Sequence, residues 1–249
     1  MATFKTLQKQ PIRYQVGTFI KTSSPHIVEV LGTTALDFAV IDAEHAPLDR
    51  AALDLMMLAG RAAGLPLLVR ISDCNPATIG SVLDMGAAGL LVPHVDSVAD
   101  AQAVVNHAKF RNGTRGYSSS PRFAGYGTLG MKQALLAGDQ ALVICQIESP
   151  QAVECAAQIA AVPGVDGLFI GRADLALAMG LDDSKHASVS AATDRSIAAA
   201  LAAGKLAGVF TATLAERDEY AAKGVNWFVF GSDQSLLRQG AQAIAHPEP

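Results

Sequence analysis

The sequence predicts an α/β protein built as a closed (β/α)8 TIM barrel, and three observations carry that expectation. Eight short apolar or β-branched runs recur along the 249 residues. Longer alanine- and leucine-rich stretches of helical spacing separate them, the alternation that βαβ units give. Glycine closes several of those stretches, as left-handed helix caps require. A barrel of this kind takes roughly 250 residues as one domain, so 1–249 is read as a single domain.

In order, strand one is expected at Val16–Ile20 and strand two at Phe38–Asp42. A helix over Leu53–Ala63 stops at Gly64 before strand three, Leu67–Ile71. Strand four is Gly89–Val92, followed by a helix at Ala99–His107. Strand five, Leu142–Ile147, leads into a helix at Ala152–Ile159 and Gly164. Strand six, Gly167–Ile170, opens a short helix, Leu175–Met179. Arg195–Ala203 with Gly204 precedes strand seven at Leu206–Phe210. Leu214–Lys223 with Gly224 precedes strand eight at Trp227–Phe230. Such nearly unbroken apolar runs belong to strands buried on both faces. An open doubly wound sheet usually carries GxGxxG after its first strand, and Lys21–Ser24 holds no glycine. Arg111–Gly130, with five glycines, three successive serines and a proline, is a long polar loop expected to border the mouth.

Composition narrows the function class. Half the residues are hydrophobic and 17% charged, enough apolar material for a large core. A net charge of −4 without any basic stretch lacks the footprint of a nucleic-acid binder. Cys74, Cys145 and Cys155 are odd in number and show no CxxC spacing, so they read as reduced core thiols. The polar start MATFKTLQKQ lacks a signal-peptide core, and no apolar stretch approaches the roughly 18 residues of a membrane span. The expectation is a soluble cytoplasmic protein with neither a nucleic-acid nor a membrane partner.

In a barrel the C-terminal strand ends build the site. Glu148 and Asp174 follow strands five and six, 26 residues apart, about one strand-helix-strand repeat. Converging carboxylates there suggest a hard divalent cation. The competing reading is helix capping, fair for Asp174 and weaker for Glu148, because Ser149 and Pro150 already supply a cap and a first-turn proline. Side chains two apart share a face, so Gln146 points with Glu148, and Asp42 with Glu44. Arg70 ends a hydrophobic strand, either as an ion-pair partner of Asp42 or Glu148 or as a stabiliser of a developing oxyanion. His45, beside two acids, is a candidate general base against the plainer reading of a loop histidine. Asp84, in Leu83-Asp84-Met85-Gly86, reads by itself as a helix-end residue.

Several segments together resemble the HpcH/HpaI family of metal-dependent pyruvate aldolases. They are Val40–His45, Leu68–Ile71, Leu83–Gly89, Leu91–Val95, Thr114–Tyr117, Gln146–Ser149 and Gly164–Gly171 with Asp174-Leu175, in order across nearly the whole chain. The resemblance implies that Glu148 and Asp174 hold Mg²⁺, Mn²⁺ or Co²⁺ and that Gln146 orients these ligands. It further implies that Arg70 stands over the keto oxygen of pyruvate and that His45 transfers the proton, with Asp42 and Asp84 in its neighbourhood. Backbone amides around Gly171, Arg172, Ala173 and Asp174 would receive the pyruvate carboxylate. The implied reaction is reversible cleavage of a 4-hydroxy-2-oxo acid to pyruvate (or hydroxypyruvate) and an aldehyde through a metal-held enolate. The implied assembly is a homohexamer, a trimer of dimers that exchange their last helix, here Gln234–Ile244.

One departure stands out. Arg172 replaces the proline more often found after Ile-Gly, and Ala176 a common serine. Arg172 is therefore expected either as a cation toward an acidic aldehyde or as a surface-paired residue. Rival readings are an acyl-CoA lyase of the malyl- or citryl-CoA type, a Schiff-base aldolase using Lys21, and a barrel with no catalysis that serves as a binding subunit.

Overall fold

Strands buried on both faces leave no edge to satisfy, and closure meets that demand. In a computed structural model, which describes residues 14–245, the strands form a closed all-parallel barrel in sequence order, β1 pairing β8. The polar N-terminal stretch lies outside the described residues. The strands are β1 (Gln15–Ile20), β2 (Phe38–Asp42), β3 (Leu67–Arg70), β4 (Gly89–Val92), β5 (Leu142–Ile147), β6 (Gly167–Ile170), β7 (Leu206–Thr211) and β8 (Trp227–Ser232). Each expected strand is present to within two residues.

The helices are α1 (Pro25–Gly32), α2 (Arg50–Ala63), α3 (Pro76–Asp84), α4 (Val98–Ala108), α5 (Met131–Gly138), α6 (Pro150–Ala161), α7 (Arg172–Ala178), α8 (Ala187–Ala202), α9 (Leu214–Ala222) and α10 (Asp233–Ala245). Of these, α1, α3 and α5 are eight or nine residues long, too short for periodicity to announce. Gly64, Gly164, Gly204 and Gly224 all adopt positive φ, as read from the sequence.

Two apolar compartments follow from the period of two along each strand. One faces the helices, and of the three expected core thiols it buries only Cys145. The other fills the barrel with Phe19, Phe38, Val40, Leu68, Leu91, Leu142, Ile144, Phe169, Trp227 and Val229. Phe38 stacks on Trp227 with ring centres 4.5 Å apart, and Phe169 meets Trp227 edge-on at 5.8 Å. Glycine makes room for these rings: a Cβ at Gly17 would lie 2.4 Å from the Phe38 ring. This aromatic plug closes the barrel below the polar residues at the strand ends.

The Arg111–Gly130 segment does not border the mouth. It follows α4 and precedes β5, so it lies at the N-terminal face of the strands, opposite the βα loops. There the Arg115 guanidinium lies against the stacked rings of Phe110 and Phe123 and pairs with Asp84 at 2.8 Å. Arg122 bonds Asp54 and the Met85 carbonyl.

Gly17→Ala should overpack the interior, lowering unfolding free energy by about 1–3 kcal/mol. Urea denaturation measures it, and an unshifted midpoint would mean that the Phe38–Trp227 stack can yield.

Candidate active site

The barrel mouth collects side chains from six strand ends, and its charges divide into two unlike halves. On the β1–β3 side, Asp42 is fully buried and receives two bonds from Arg70, Nε to Oδ1 at 3.0 Å and Nη2 to Oδ2 at 2.7 Å. Lys21 Nζ lies 3.1 Å from Asp42 Oδ2, and the His45 amide donates to Oδ1. Burial pushes the Asp42 carboxyl up, but Arg70, the His45 amide and Lys21 outweigh it and hold the group below 3.8, its ordinary value. Glu44 Oε2 adds a contact to Arg70 Nε at 3.3 Å. The Arg70 guanidinium also lies over the Phe19 ring at 4.7 Å, so it rests on the aromatic plug.

On the β5–β6 side no such cation arrives. Glu148 is buried and accepts the Gln146 side-chain amide and the His94 backbone N–H at 2.7 Å, and His94 Nδ1 lies 2.9 Å from Oε1. Burial raises its carboxyl above the ordinary range, and the negative charge of Asp174 adds to the rise, against the opposing bonds of Gln146 and His94. Asp174 is the third residue of α7, whose cap is Gly171 without a side-chain bond. Among the described residues Asp174 makes no hydrogen bond or ion pair within the chain. A Cβ at Gly171 would come within 2.9 Å of Glu148 Oε2 and 3.1 Å of Gln146 Nε2. Glycine there keeps space beside the carboxylate. Gln146 Oε1 is buried without a partner.

This donor set fits a hard divalent cation. Two carboxylates lie within electrostatic reach of each other, one of them pushed up chiefly by its burial, with an unpartnered amide oxygen alongside. Among the described residues no third His, Cys, Asp or Glu completes a protein cage, and a Mg²⁺-like ion that keeps its waters needs none.

The expected site residues are thus only partly brought together. Asp42, Arg70, Gln146, Glu148, Gly171, Ala173 and Asp174 stand at the mouth. His45 stands at its rim, its side chain 53% exposed and Nε2 3.7 Å from Glu44. Asp84 does not join them within the chain: it ends α3, which runs back from the mouth to the opposite face, and pairs with Arg115. The Arg172 side chain points out of the mouth, bonded to Glu216, Tyr220 and the Phe210 carbonyl. It therefore offers no cation to a bound molecule.

Two residues gain a place that the sequence reading did not give them. Glu44 touches Arg70, His45 and His94, and His94 bridges Glu44 (Nε2, 3.4 Å) and Glu148. His94 has φ +55°, unusual for a residue with a side chain. The signal available for it was the polar pair Pro93-His94 directly after an apolar strand.

Comparison with known proteins is consistent over the whole barrel. The profile of the HpcH/HpaI aldolase/citrate lyase family matches residues 15–240. A 5-keto-4-deoxy-D-glucarate aldolase of Shigella dysenteriae serotype 1 is 33% identical over 93% of this chain and 91% of its own. The crystal structure of an HpcH/HpaI aldolase/citrate lyase family protein from Burkholderia cenocepacia J2315 superposes with TM-score 0.88 at 33% identity, covering 94% of both chains. An HpcH/HpaI aldolase from Desulfitobacterium hafniense DCB-2 gives TM-score 0.86 at 27% identity, covering 95% of this chain and 94% of that one.

Asp42→Asn should strand the Arg70 charge in a buried place and lower stability by about 3 kcal/mol at neutral pH. Because the folded-state pKa of Asp42 is depressed, its contribution is complete above 3.8 and is lost as pH falls through the lower folded value. Denaturant titrations of both proteins should therefore converge in acid; a gap constant with pH would refute the assignment.

Proposed function

The chain belongs to the HpcH/HpaI aldolase/citrate lyase family, and from that premise we propose that it is a divalent-metal-dependent aldolase. It is a carbon–carbon lyase. The reaction is the reversible cleavage of a 4-hydroxy-2-oxo acid to pyruvate, or hydroxypyruvate, and an aldehyde. The observation that carries the reading is the Glu148–Asp174 pair, two converging carboxylates with no protein cation between them. Glu148 and Asp174 hold the ion, Mg²⁺, Mn²⁺ or Co²⁺, with Gln146 orienting Glu148. Bound there, the cation would supply Lewis acidity to the 2-oxo acid.

The chain's own groups do the rest. Arg70, fixed by Asp42 and Glu44, presents positive charge where the keto oxygen gains negative charge, an interaction stronger in the transition state than in the ground state. The first-turn amides of α7, from Arg172 to Asp174, have no side-chain cap and receive the substrate carboxylate. In cleavage the C4 hydroxyl gives up its proton to a base, the C3–C4 bond breaks, and its electron pair forms the pyruvate enolate. A proton then returns to C3. His45 is proposed as the proton carrier. His94 is a second reading, favoured by its contacts to both Glu44 and Glu148. Lys21 is an unsuitable Schiff-base nucleophile because its ammonium is paired with Asp42. The acyl-CoA lyase reading is less favoured, because the relatives of about one-third identity are named aldolases.

We place the protein in the cytoplasm, where Cys74, Cys145 and Cys155 stay free thiols. The assembly proposed is a homohexamer in which dimers exchange α10. Beyond Asp233 this helix is exposed or nearly so, with Leu237 at 74% and Ile244 at 85%. The helix touches its own barrel chiefly at β1 and β8, and the apolar side chains it leaves in solvent suit a partner surface.

Glu148→Gln and Asp174→Asn should each lower EDTA-reversible pyruvate formation by more than the ~10–100-fold typical of groups that only orient a ligand. Full activity in both would sink the cation site. Arg70→Ala should slow exchange of the pyruvate C3 protons, followed by NMR in D2O, and an unchanged rate removes it from enolate stabilisation. The same exchange rate in His45→Ala and His94→Ala decides between the histidines. Leu237→Asp should reduce the mass seen by light scattering, whereas an intact hexamer argues against α10 exchange.

A further inference from the structure

Helix α7 carries Asp174 on three unfavourable terms. It has seven residues, and isolated helices so short are marginal. Its cap, Gly171, provides no side-chain bond. Asp174 also lies within electrostatic reach of Glu148, a carboxylate of the same sign. Something outside α7 must hold its first turn in place.

Arg172 opens that turn and is only 10% exposed at its side chain. Its guanidinium reaches three groups of the next βα unit. Nη2 donates to the Phe210 carbonyl at 2.9 Å, on β7, and to Glu216 Oε1 at 2.6 Å, on α9. Nη1 donates to the Tyr220 hydroxyl at 3.2 Å, and the guanidinium carbon lies 5.0 Å from the centre of that ring. Glu216 and Tyr220 are one helical turn apart, so the planar fork spans a single face of α9. Tyr220 is buried beneath it. The second Glu216 oxygen accepts the Ala212 amide at 2.9 Å, tying in the β7–α9 turn. Burial opposes the Glu216 charge, but the Ala212 and Arg172 bonds prevail and hold its carboxyl below the ordinary value.

We propose that Arg172 and Glu216 form a positioning clamp that fixes Asp174 opposite Glu148, setting the affinity of the mouth for a divalent cation without touching it. The inference rests on the reading of Asp174 as a cation ligand. Arg172 is a positioning residue here. Its engaged donors and outward direction exclude a role as a substrate-facing cation in this conformation.

The test is Mn²⁺ binding to the full-length protein, followed by electron paramagnetic resonance of the free ion, with thermal unfolding measured in parallel without metal. Arg172→Ala and Glu216→Gln should each weaken Mn²⁺ binding about 10-fold, the size expected for a group that orients a ligand. The double variant should bind no more weakly than Arg172→Ala alone, because both changes break one linkage. Arg172→Lys should fall between, since a lysine can reach Glu216 but cannot fork to three partners. Glu216→Gln, which keeps the shape of the side chain, carries the test where Arg172→Ala does not fold. Unchanged Mn²⁺ affinity in the folded variants overturns the clamp, and so does full additivity in the double variant. Asp174→Asn separates the two levels. Loss of Mn²⁺ binding there, with Arg172→Ala and Glu216→Gln unaffected, rejects the clamp alone; wild-type binding in Asp174→Asn rejects the cation site and the clamp together.

Discussion

The buried ion pair of Asp42 and Arg70 sets the terms for the rest of the mouth. Neither charge can sit at the top of an apolar barrel alone, because removing either from water without the other is prohibitive. Two parallel bonds satisfy the carboxylate and aim the guanidinium, which rests on the Phe19 ring. Lys21 and Glu44 extend this half into two cations and two anions. The other half holds Glu148 and Asp174, which no lysine or arginine among the described residues pairs with. The asymmetry makes the second half a place for a mobile positive charge. It also keeps Arg70 from collapsing onto Glu148, since its donors are already directed to β2.

How much of this was legible in the sequence depends on what each signal encodes. The strands could be read because burial on both faces writes an apolar run, and even the ends of β2, β4, β5 and β6 match. Asp42, Arg70, Gln146 and Glu148 could be read because the period of two fixes which side of a strand a residue faces. Arg172 could not. It lies one residue past a strand and opens a helix, so its position fixes Cα while four rotatable bonds decide where the charge goes. The loop at Arg111–Gly130 was misplaced for a different reason. Its polarity and length were weighed, but its sidedness follows from its coming after α4 and before β5. Asp84 obeys the same rule: the helix-end reading holds, and as the last residue of a helix that descends from the mouth it stands apart from the other site residues within the chain. His94 was visible as a polar strand end, but its bridge between Glu44 and Glu148 depends on a left-handed backbone that composition does not signal.

Strain and space meet at one atom group, the Glu148 carboxylate. From β4, His94 bends toward it with φ +55°, a conformation that costs a residue with a side chain on the order of 1 kcal/mol. The backbone N–H of that histidine donates to Oε1, with Nδ1 2.9 Å from the same oxygen, and offsets the expense. From β6, Gly171 approaches so closely that no Cβ fits beside Oε2. Oε1 is thus gripped from the β4 side, and Oε2 takes the Gln146 amide beside the space that Gly171 leaves free of a Cβ. Partners on both oxygens fix the direction of the carboxylate, which is what groups behind a metal ligand do.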